Sequence, residues 1–139
     1  MEFKRIDIND FNQLKSLHFA YKNEINEIAP TEENMIELRK AIEEDQILYY
    51  GCLIDDILVA SCSVSPIYST FIYGIAGIFE DFYVLPKFRH MGIAHQLVNY
   101  AFTKSGVGFV IVGFADCDIK MYESLGFTIQ LGNMLVKNN

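Results

Sequence analysis

The chain has few cysteines and no long apolar run. Its 139 residues include three cysteines, and no two of them stand in C-x-x-C spacing. An odd set of thiols without such spacing excludes a disulfide framework and is typical of a reduced, cytoplasmic protein. No apolar run reaches membrane-spanning length and the first residues lack the apolar stretch of a signal peptide, so we expect no membrane partner.

Basic residues are also scarce. The chain has 11 Lys and Arg against 18 Asp and Glu, which gives a net charge of −7. Residues 1–56 hold thirteen acids and six bases, whereas residues 57–139 hold five of each. Nucleic-acid binding depends on Lys and Arg that neutralise phosphates, so we expect no nucleic-acid partner. The acidic first part favours a small cation as ligand, or it simply keeps the surface soluble.

Two further patterns are missing. His18, His90 and His95 stand at no ligand spacing with each other or with cysteine, which predicts that the protein holds no metal. His18 and His95 are interpreted as ordinary helix residues. The chain has no G-x-G-x-x-G after its first strand pattern, which excludes a dinucleotide-binding fold.

The remaining pattern predicts a single α/β (α+β) domain over residues 1–139, with the order β-α-α-β-β-β-α-β-α-β-β in one mixed sheet. Tyr21 lies on the apolar face of a first helix that we expect to end at Ala29-Pro30. Asp55-Asp56 joins two apolar strands as a tight hairpin. Residues 65–77 are interpreted as loop-like at first and then apolar. Two closing strands are predicted at Phe127–Leu131 and Met134–Lys137, around Gly132-Asn133.

One stretch combines a strand, a turn and a helix start without any acid. Between Asp81 and Asp116 there is no Asp or Glu, whereas Lys87, Arg89 and Lys104 all lie there. A helix N-terminus presents free N–H groups and the positive end of the helix dipole. The stretch therefore predicts a site for phosphate groups.

The same stretch resembles the GNAT superfamily of acetyl-CoA-dependent N-acetyltransferases. The family signature Arg/Gln-x-x-Gly-x-Gly/Ala matches Arg89-His90-Met91-Gly92-Ile93-Ala94, after a strand that ends in Val84-Leu85-Pro86. A second matching segment is Met121-Tyr122-Glu123-Ser124-Leu125-Gly126-Phe127. The resemblance implies a central splayed sheet flanked by helices, with acetyl-CoA as co-substrate.

The resemblance also implies which residues hold the co-substrate. The main chain of Phe82, Tyr83 and Val84 would pair with the pantetheine arm, like an added strand. The pyrophosphate would lie on the signature, whose residues are Arg89, His90, Met91, Gly92, Ile93 and Ala94. Small residues in the signature let backbone amides approach the phosphate oxygens, and the arginine adds a fixed positive charge.

Tyr122 and Glu80 are the predicted catalytic residues. The resemblance implies that the Tyr122 phenol protonates the leaving thiolate, although a structural tyrosine on a short helix is the alternative. Glu80-Asp81-Phe82-Tyr83-Val84 is similar to a strand of spermidine/spermine N-acetyltransferases, in which the glutamate is a candidate base. Glu80 instead holding backbone at a splayed strand stays an open alternative. Strand residues alternate between faces, so Glu80 and Asp81 need a bulge to face one site.

The acceptor side and the partners are less defined. Glu80, Asp81 and Tyr21 are the predicted substrate-binding residues, and Tyr49 and Tyr73 are further candidates for the wall of an amine pocket. The expected function is direct acetyl transfer to a primary amine of a small, cationic acceptor.

Family members often carry Asn where this chain has Ala115, and a small residue where it has Asp118. These departures leave open a non-catalytic acyl-CoA-binding or regulatory module. The sequence does not reveal the oligomeric state, and a homodimer is an open alternative.

Overall fold

The strands form one mixed sheet whose spatial order follows the chain. The structure is a computed structural model that describes residues 1–132 and 134–138. The strands are β1 (Glu2–Arg5), β2 (Leu48–Ile54), β3 (Ile57–Ser69), β4 (Gly74–Val84) and β5 (Val110–Val112). The helices are α1 (Phe11–Glu24), α2 (Glu32–Glu43), α3 (Ile93–Ser105) and α4 (Ile119–Ser124). Neighbouring strands are antiparallel except β4 and β5, which are parallel. The predicted fold class is confirmed.

Two apolar cores cover the two faces of the sheet. On one face, Val64, Phe79 and Leu97 belong to a core that includes the buried side of α3. On the other face, Leu14 and Tyr49 belong to a core built with α1 and α2. Successive strand residues point to opposite faces, so a residue's core membership shows which side of the sheet it faces.

The hairpin between β2 and β3 forms as predicted. Asp55 and Asp56 both adopt positive φ, 51° and 63°. Two such residues in a two-residue loop match the twist of the flanking strands, and aspartate tolerates this conformation better than most residues. The hairpin therefore does not require a glycine.

The β3–β4 hairpin is longer than expected, so the interpretation of the first part of residues 65–77 as loop-like is wrong. β3 continues to Ser69, and the pairing of Pro66 with Gly77 keeps the ladder regular. β2 pairs with β3 only as far as Val64, so Pro66 lies where one side of β3 is an edge. Proline is tolerated at an edge because its missing N–H is not needed there.

Helix α1 ends at Glu24, earlier than the predicted stop at Ala29-Pro30. Asn26 takes a positive φ of 58°, and the N–H of Glu27 donates to the carbonyl of Lys22 across 3.0 Å. This is a Schellman-type end, which the sequence pattern does not reveal because asparagine takes the place usual for glycine. Ile28 is left 92% exposed.

The two predicted closing strands, Phe127–Leu131 and Met134–Lys137, are wrong for the described residues, since neither segment pairs with a strand. The expected turn residue Asn133 lies outside the described residues. The alternating pattern is correct for a strand, but a strand also requires a neighbour for its backbone hydrogen bonds.

Within residues 1–132 and 134–138, no helix combines the length and apolarity that a membrane span needs.

Candidate active site

A bulge in β4 brings two acids to one face of the sheet. Glu80 pairs with Ser63 and Tyr83 pairs with Ser61, so two residues of β4 lie opposite one residue of β3. The extra residue is Asp81, whose φ is +51°. A positive φ at a non-glycine residue costs on the order of 1–3 kcal/mol and is found often at functional sites.

The bulge sets the direction of the side chains around it. Val64 and Phe79 pair with each other and belong to the core on the α3 side. Glu80, one residue further along, therefore faces the α1 side, as does Tyr83 of the second core. Asp81 also contacts residues of that side. The sequence argument made a bulge the condition for both acids to face one site; that bulge is present, and both acids face α1.

Asp81 ends a chain of hydrogen bonds that begins on α1. The Tyr49 hydroxyl donates to Asp81 Oδ2 across 2.6 Å, and His18 Nε2 lies 2.9 Å from the same hydroxyl oxygen. The Tyr49 hydroxyl has a single proton, which it donates to the Asp81 carboxylate. His18 Nε2–H is therefore the donor in the contact between His18 and the Tyr49 oxygen. The chain holds the Asp81 carboxylate in one orientation.

Burial determines the charge states of Tyr49 and His18 in this series of hydrogen bonds. It raises the pKa of the Tyr49 phenol, and the neighbouring Asp81 raises that pKa further, so Tyr49 keeps its proton. Burial also lowers the pKa of His18 from its ordinary 6.5, against the opposing effect of Asp81. His18 is therefore neutral at pH 7, and its 3.9 Å approach to Asp81 is not an ion pair.

These residues line a narrow cleft between α1 and the bulged part of the sheet. Its walls are Leu17, His18, Tyr21, Ser61, Asp81 and Tyr83. The Tyr21 and Tyr83 rings pack at a centroid distance of 5.3 Å. Burial raises the pKa of Tyr21, and Asp81 adds to this effect, so the phenol is a neutral hydrogen-bonding group.

Beside the bulge, β4 loses its partner on one side. β5 pairs only with Gly77, Ile78 and Phe79, whereas β4 continues to Val84. The β5-facing side of residues 80–84 therefore has no strand beside it among the described residues. Main-chain groups there are open to an extended, amide-bearing ligand.

The turn after β4 presents free backbone donors. His90 and Gly92 have positive φ, 63° and 79°, before α3 begins at Ile93. Within the described part of the chain, the N–H groups of residues 90–95 donate to no backbone or side-chain acceptor. A Cβ on Gly92 would meet only Gln96 Nε2, at 3.6 Å, so the approach to the helix is open. This donor set fits a phosphate group.

Arg89 is directed back toward the sheet and α1. Its Nε donates to the Val84 carbonyl across 2.9 Å, and its NH2 group pairs with Glu24 at 2.7 Å. The guanidinium also lies 5.5 Å from the Tyr83 ring centre. Arg89 thus links the turn to the end of α1, and its predicted contact with pyrophosphate remains a prediction.

Tyr122 lies on α4 beside aromatic rings. Its ring centre is 5.7 Å from that of Phe127 and 6.5 Å from that of Phe114. Burial raises the pKa of Tyr122, and Tyr21 and Asp118 raise it further. The two phenols and Asp118 therefore lie within electrostatic range of one another.

Sequence reasoning did not identify His18, and it placed Tyr49 only among three candidate wall residues. His18 follows the buried Leu17 and precedes Tyr21 by three residues, so its position on the buried stripe of α1 was the available signal. Tyr73 lies in the β3–β4 turn, 80% exposed, away from the cleft.

No group of three or more His, Cys, Asp or Glu among residues 1–132 and 134–138 is arranged to hold a metal ion.

Comparison with known proteins gives a family and a fold. The model of the acetyltransferase (GNAT) domain matches residues 42–129. A probable acetyltransferase of solved structure has 21% identity and a TM-score of 0.87, with 100% of this chain and 99% of that chain covered. A predicted acetyltransferase from Clostridium acetobutylicum, solved with acetyl-CoA, has 14% identity, a TM-score of 0.79 and coverage of 99% and 95%.

A third solved structure is an aminoglycoside acetyltransferase from an uncultured soil metagenomic sample, in complex with sisomicin. It has 18% identity, a TM-score of 0.78 and coverage of 99% of this chain and 95% of that one. No curated protein matches the chain.

Proposed function

This chain belongs to the GNAT acetyltransferase family, and on that premise we propose that it moves an acetyl group from acetyl-CoA to the primary amine of a small cationic acceptor. The observation that carries the proposal is the bulge at Asp81. It places Asp81 in the wall of the cleft and leaves Glu80 on the same α1-facing side of the sheet, beside the point where β4 separates from β5.

Acetyl-CoA would supply an acetyl thioester, and two groups of residues fit its other parts. The unpaired N–H groups of residues 90–95, including those of His90, Met91, Gly92, Ile93 and Ala94, would hold the pyrophosphate. The β5-facing main chain of Phe82, Tyr83 and Val84 would hold the pantetheine amides. The Val84 carbonyl already accepts from Arg89, so this strand would offer its remaining groups.

Asp81 and Glu80 would have different roles toward the acceptor amine. Asp81 already accepts a hydrogen bond from the Tyr49 hydroxyl, which fixes the carboxylate in one orientation and suits it to anchor an ammonium group. The Glu80 carboxylate makes no hydrogen bond among the described residues and would take the proton from the amine. Its own carbonyl is held by the Ser63 hydroxyl at 3.1 Å, so the side chain extends from a fixed backbone.

Tyr122 would act at the other end of the reaction. When the amine nitrogen bonds to the acetyl carbon, the carbon–sulfur bond breaks and the sulfur leaves as a thiolate. The raised pKa keeps the Tyr122 phenol protonated, so it has a proton to donate to that sulfur. Backbone N–H groups of the 80–84 strand would polarise the acetyl carbonyl.

The cationic acceptor follows from charge around the cleft. Besides burial, three carboxylates (Asp81, Glu27 and Asp118) raise the pKa of the Tyr21 phenol and one cation, Lys22, lowers it, so acids outnumber bases around this phenol. The sisomicin complex named above is that of an enzyme of the same fold with a polycationic amine. Polyamines, aminoglycosides and amino sugars are therefore the acceptor classes to test first.

Calorimetry with acetyl-CoA, followed by a thiol-release assay with an amine panel, tests the proposal. We expect binding, and turnover that is fastest with polycationic amines and slow with neutral ones of similar size. Turnover of neutral amines alone would contradict the cationic acceptor. Binding without turnover on any amine would favour the non-catalytic acyl-CoA-binding module, for which Asp118 in place of a small residue is the supporting feature.

A further inference from the structure

The last turn of α1 is held by little apolar packing. The buried side chains of α1 end at Leu17, and Tyr21 is the last of its residues to pack partly against the core on that face. Residues 23–29, which include the end of α1 and the segment after it, are all exposed. A segment with few buried apolar contacts opens easily, so polar contacts determine where this turn lies.

One ion pair joins this turn to another element. Arg89 NH2 donates to Glu24 Oε2 across 2.7 Å, although the two residues are 65 positions apart in the sequence. Lys22, in the same turn, pairs instead with Glu27, which follows the helix. Among residues 22–28, all of which the structure describes, no other side chain forms a hydrogen bond or ion pair with a residue outside the segment. The Glu24–Arg89 pair is therefore the polar link between the end of α1 and the turn after β4.

The Arg89 side chain is itself fixed on the sheet. Its Nε donates to the carbonyl of Val84, the last residue of β4, across 2.9 Å, and its guanidinium lies 5.5 Å from the centre of the Tyr83 ring. A planar guanidinium that is held at Nε presents its NH2 group in one direction, which a lysine ammonium on a flexible stem does not do. Arg89 therefore sets the place of Glu24 relative to the strand.

The same pair adjoins the wall of the cleft. Tyr21 precedes Glu24 by three residues, which places both on one side of α1. Tyr21 and Tyr83 line the cleft, and their rings pack against each other. Burial raises the pKa of the Tyr83 phenol and the Glu24 carboxylate raises it further, against the opposing effect of Arg89, so this phenol lies within electrostatic range of the pair. A shift of the last turn of α1 would therefore move one wall of the cleft.

We infer, on the basis of the proposed function, that Glu24 and Arg89 are positioning residues, whose ion pair holds the last turn of α1 and the Tyr21 wall of the cleft in the place that receives the acceptor amine. Arg89 also begins the turn whose N–H groups, those of residues 90–95, would hold the pyrophosphate. One side chain thus joins the co-substrate turn to the acceptor cleft. Neither residue contacts the reacting atoms, so loss of the pair acts on the affinity for the amine rather than on the chemical step.

Kinetics of Glu24→Gln, Arg89→Gln and the double variant test these roles. With acetyl-CoA saturating and the fastest amine of the panel, we expect each single variant to raise KM for the amine about fourfold and to keep kcat within about twofold. The double variant should also raise KM about fourfold rather than about sixteenfold, because both substitutions remove the same ion pair. Both side chains are 39% exposed, so the variants should fold, which circular dichroism checks.

The direction of the two single effects separates positioning from simple charge. Removing an acid weakens the attraction of a cationic amine and removing a base strengthens it, so a charge effect would raise KM in Glu24→Gln and lower it in Arg89→Gln. Loss of positioning raises KM in both variants. Glu43→Gln is the matched control, because it removes the same charge and breaks an exposed ion pair with Arg39 inside α2, and it should leave KM within about twofold.

Hydrogen exchange tests the ion pair without any ligand. The Ile25 amide closes α1 by donating to the Tyr21 carbonyl across 3.1 Å. Arg89→Gln removes the partner of the neighbouring Glu24 and should make this amide exchange about threefold faster, because the turn opens more often. Lys87→Gln is the control, since it removes a positive charge from the same turn, but the Lys87 ammonium lies 5.1 Å from the Phe88 ring centre rather than on α1. It should leave the exchange rate of Ile25 unchanged.

Three results overturn the inference. They are an unchanged KM for the amine in either single variant, a fall in KM for Arg89→Gln, and an unchanged exchange rate of Ile25 in Arg89→Gln. Absence of turnover in the original chain as well contradicts the proposed function instead. The exchange rate of Ile25 in Arg89→Gln then supports or overturns the link between Arg89 and α1 by itself.

Discussion

The hydroxyl of Tyr49 donates a 2.6 Å hydrogen bond to Asp81 Oδ2, which ties β2 to the bulged position of β4 across the intervening β3. Tyr49 is 1% exposed, so its hydroxyl has no access to bulk water. The bond fixes an otherwise strained residue at the floor of the cleft.

Replacing Tyr49 with phenylalanine tests this relationship. Tyr49→Phe removes the donor to a carboxylate, and bonds to charged groups contribute about 1.5–3 kcal/mol. We expect the free energy of unfolding, measured in urea, to fall by about 2 kcal/mol. Tyr68→Phe is the control, because Tyr68 is 65% exposed and should give no measurable change. Equal stability of Tyr49→Phe and the original chain would contradict the role of this bond.

The pH dependence of stability reports on His18. The folded-state pKa of His18 lies below its ordinary 6.5, so the unfolded chain binds more protons at mildly acidic pH. Stability from this group is complete above about pH 6.5 and is lost as the pH falls toward the folded-state pKa. We expect His18→Gln, which keeps an N–H donor for Tyr49, to flatten the fall in Tm between about pH 6.5 and 5. His95→Gln is the control and should leave the slope unchanged.

We expect Gly92 not to tolerate a side chain, because its backbone conformation is one that other residues rarely adopt. Its φ of +79° is strained for alanine, although a Cβ there has room. Gly92→Ala should cost about 1 kcal/mol in unfolding and weaken acetyl-CoA binding about tenfold, as measured by calorimetry. Gly113→Ala is matched to it, since a Cβ there also has room but φ is not positive. A similar loss in both variants would contradict the explanation from backbone conformation.

Separate kinetic effects are expected for the two acids of the bulge. Glu80→Gln should lower kcat about a hundredfold, because a base is lost. Asp81→Asn should mainly raise KM for a cationic amine, because the ammonium group loses its counter-charge. Initial rates over a range of amine concentrations distinguish the two. A fall in kcat for Asp81→Asn with none for Glu80→Gln would exchange their roles.

Tyr122→Phe tests the proton donor. The variant keeps the aromatic contacts with Phe114 and Phe127 but loses the hydroxyl. We expect kcat to fall about a hundredfold while the affinity for acetyl-CoA stays within about twofold. Tyr100→Phe, on α3, should change neither value, since its ring packs on Phe3 and Tyr50 instead. Unchanged turnover in Tyr122→Phe would remove the phenol from the reaction.

Local chemistry explains what could be predicted from the sequence. The start of α3 at Gly92 and its end at Gly106 follow from residues next to each other, and both glycines take positive φ. The hairpin at Asp55-Asp56 is equally local. The turn that is proposed to bind phosphate could thus be located without any tertiary information.

The cleft depends on contacts that are distant in sequence. His18 and Tyr49 are 31 residues apart, and Tyr49 and Asp81 are 32 apart. They meet only because the bulge turns Asp81 toward α1, and nothing in the local pattern says that β4 holds one residue too many. The prediction of the two closing strands is wrong for a related reason. Alternation of apolar and polar residues predicts a strand, but it does not show which neighbouring strand would pair with it.

The numbers of residues that β3 and β4 contribute at the bulge show that Asp81 is needed for the cleft and not for the pairing of the two strands. One residue, Cys62, lies between Ser61 and Ser63, whereas two residues, Asp81 and Phe82, lie between their partners Tyr83 and Glu80. A chain without Asp81 would place Phe82 opposite Cys62 and leave every other pair of β3 and β4 in register. In terms of the ladder, Asp81 is an insertion that strand pairing does not need, so its contribution is the carboxylate, which accepts the Tyr49 hydrogen bond and lines the cleft.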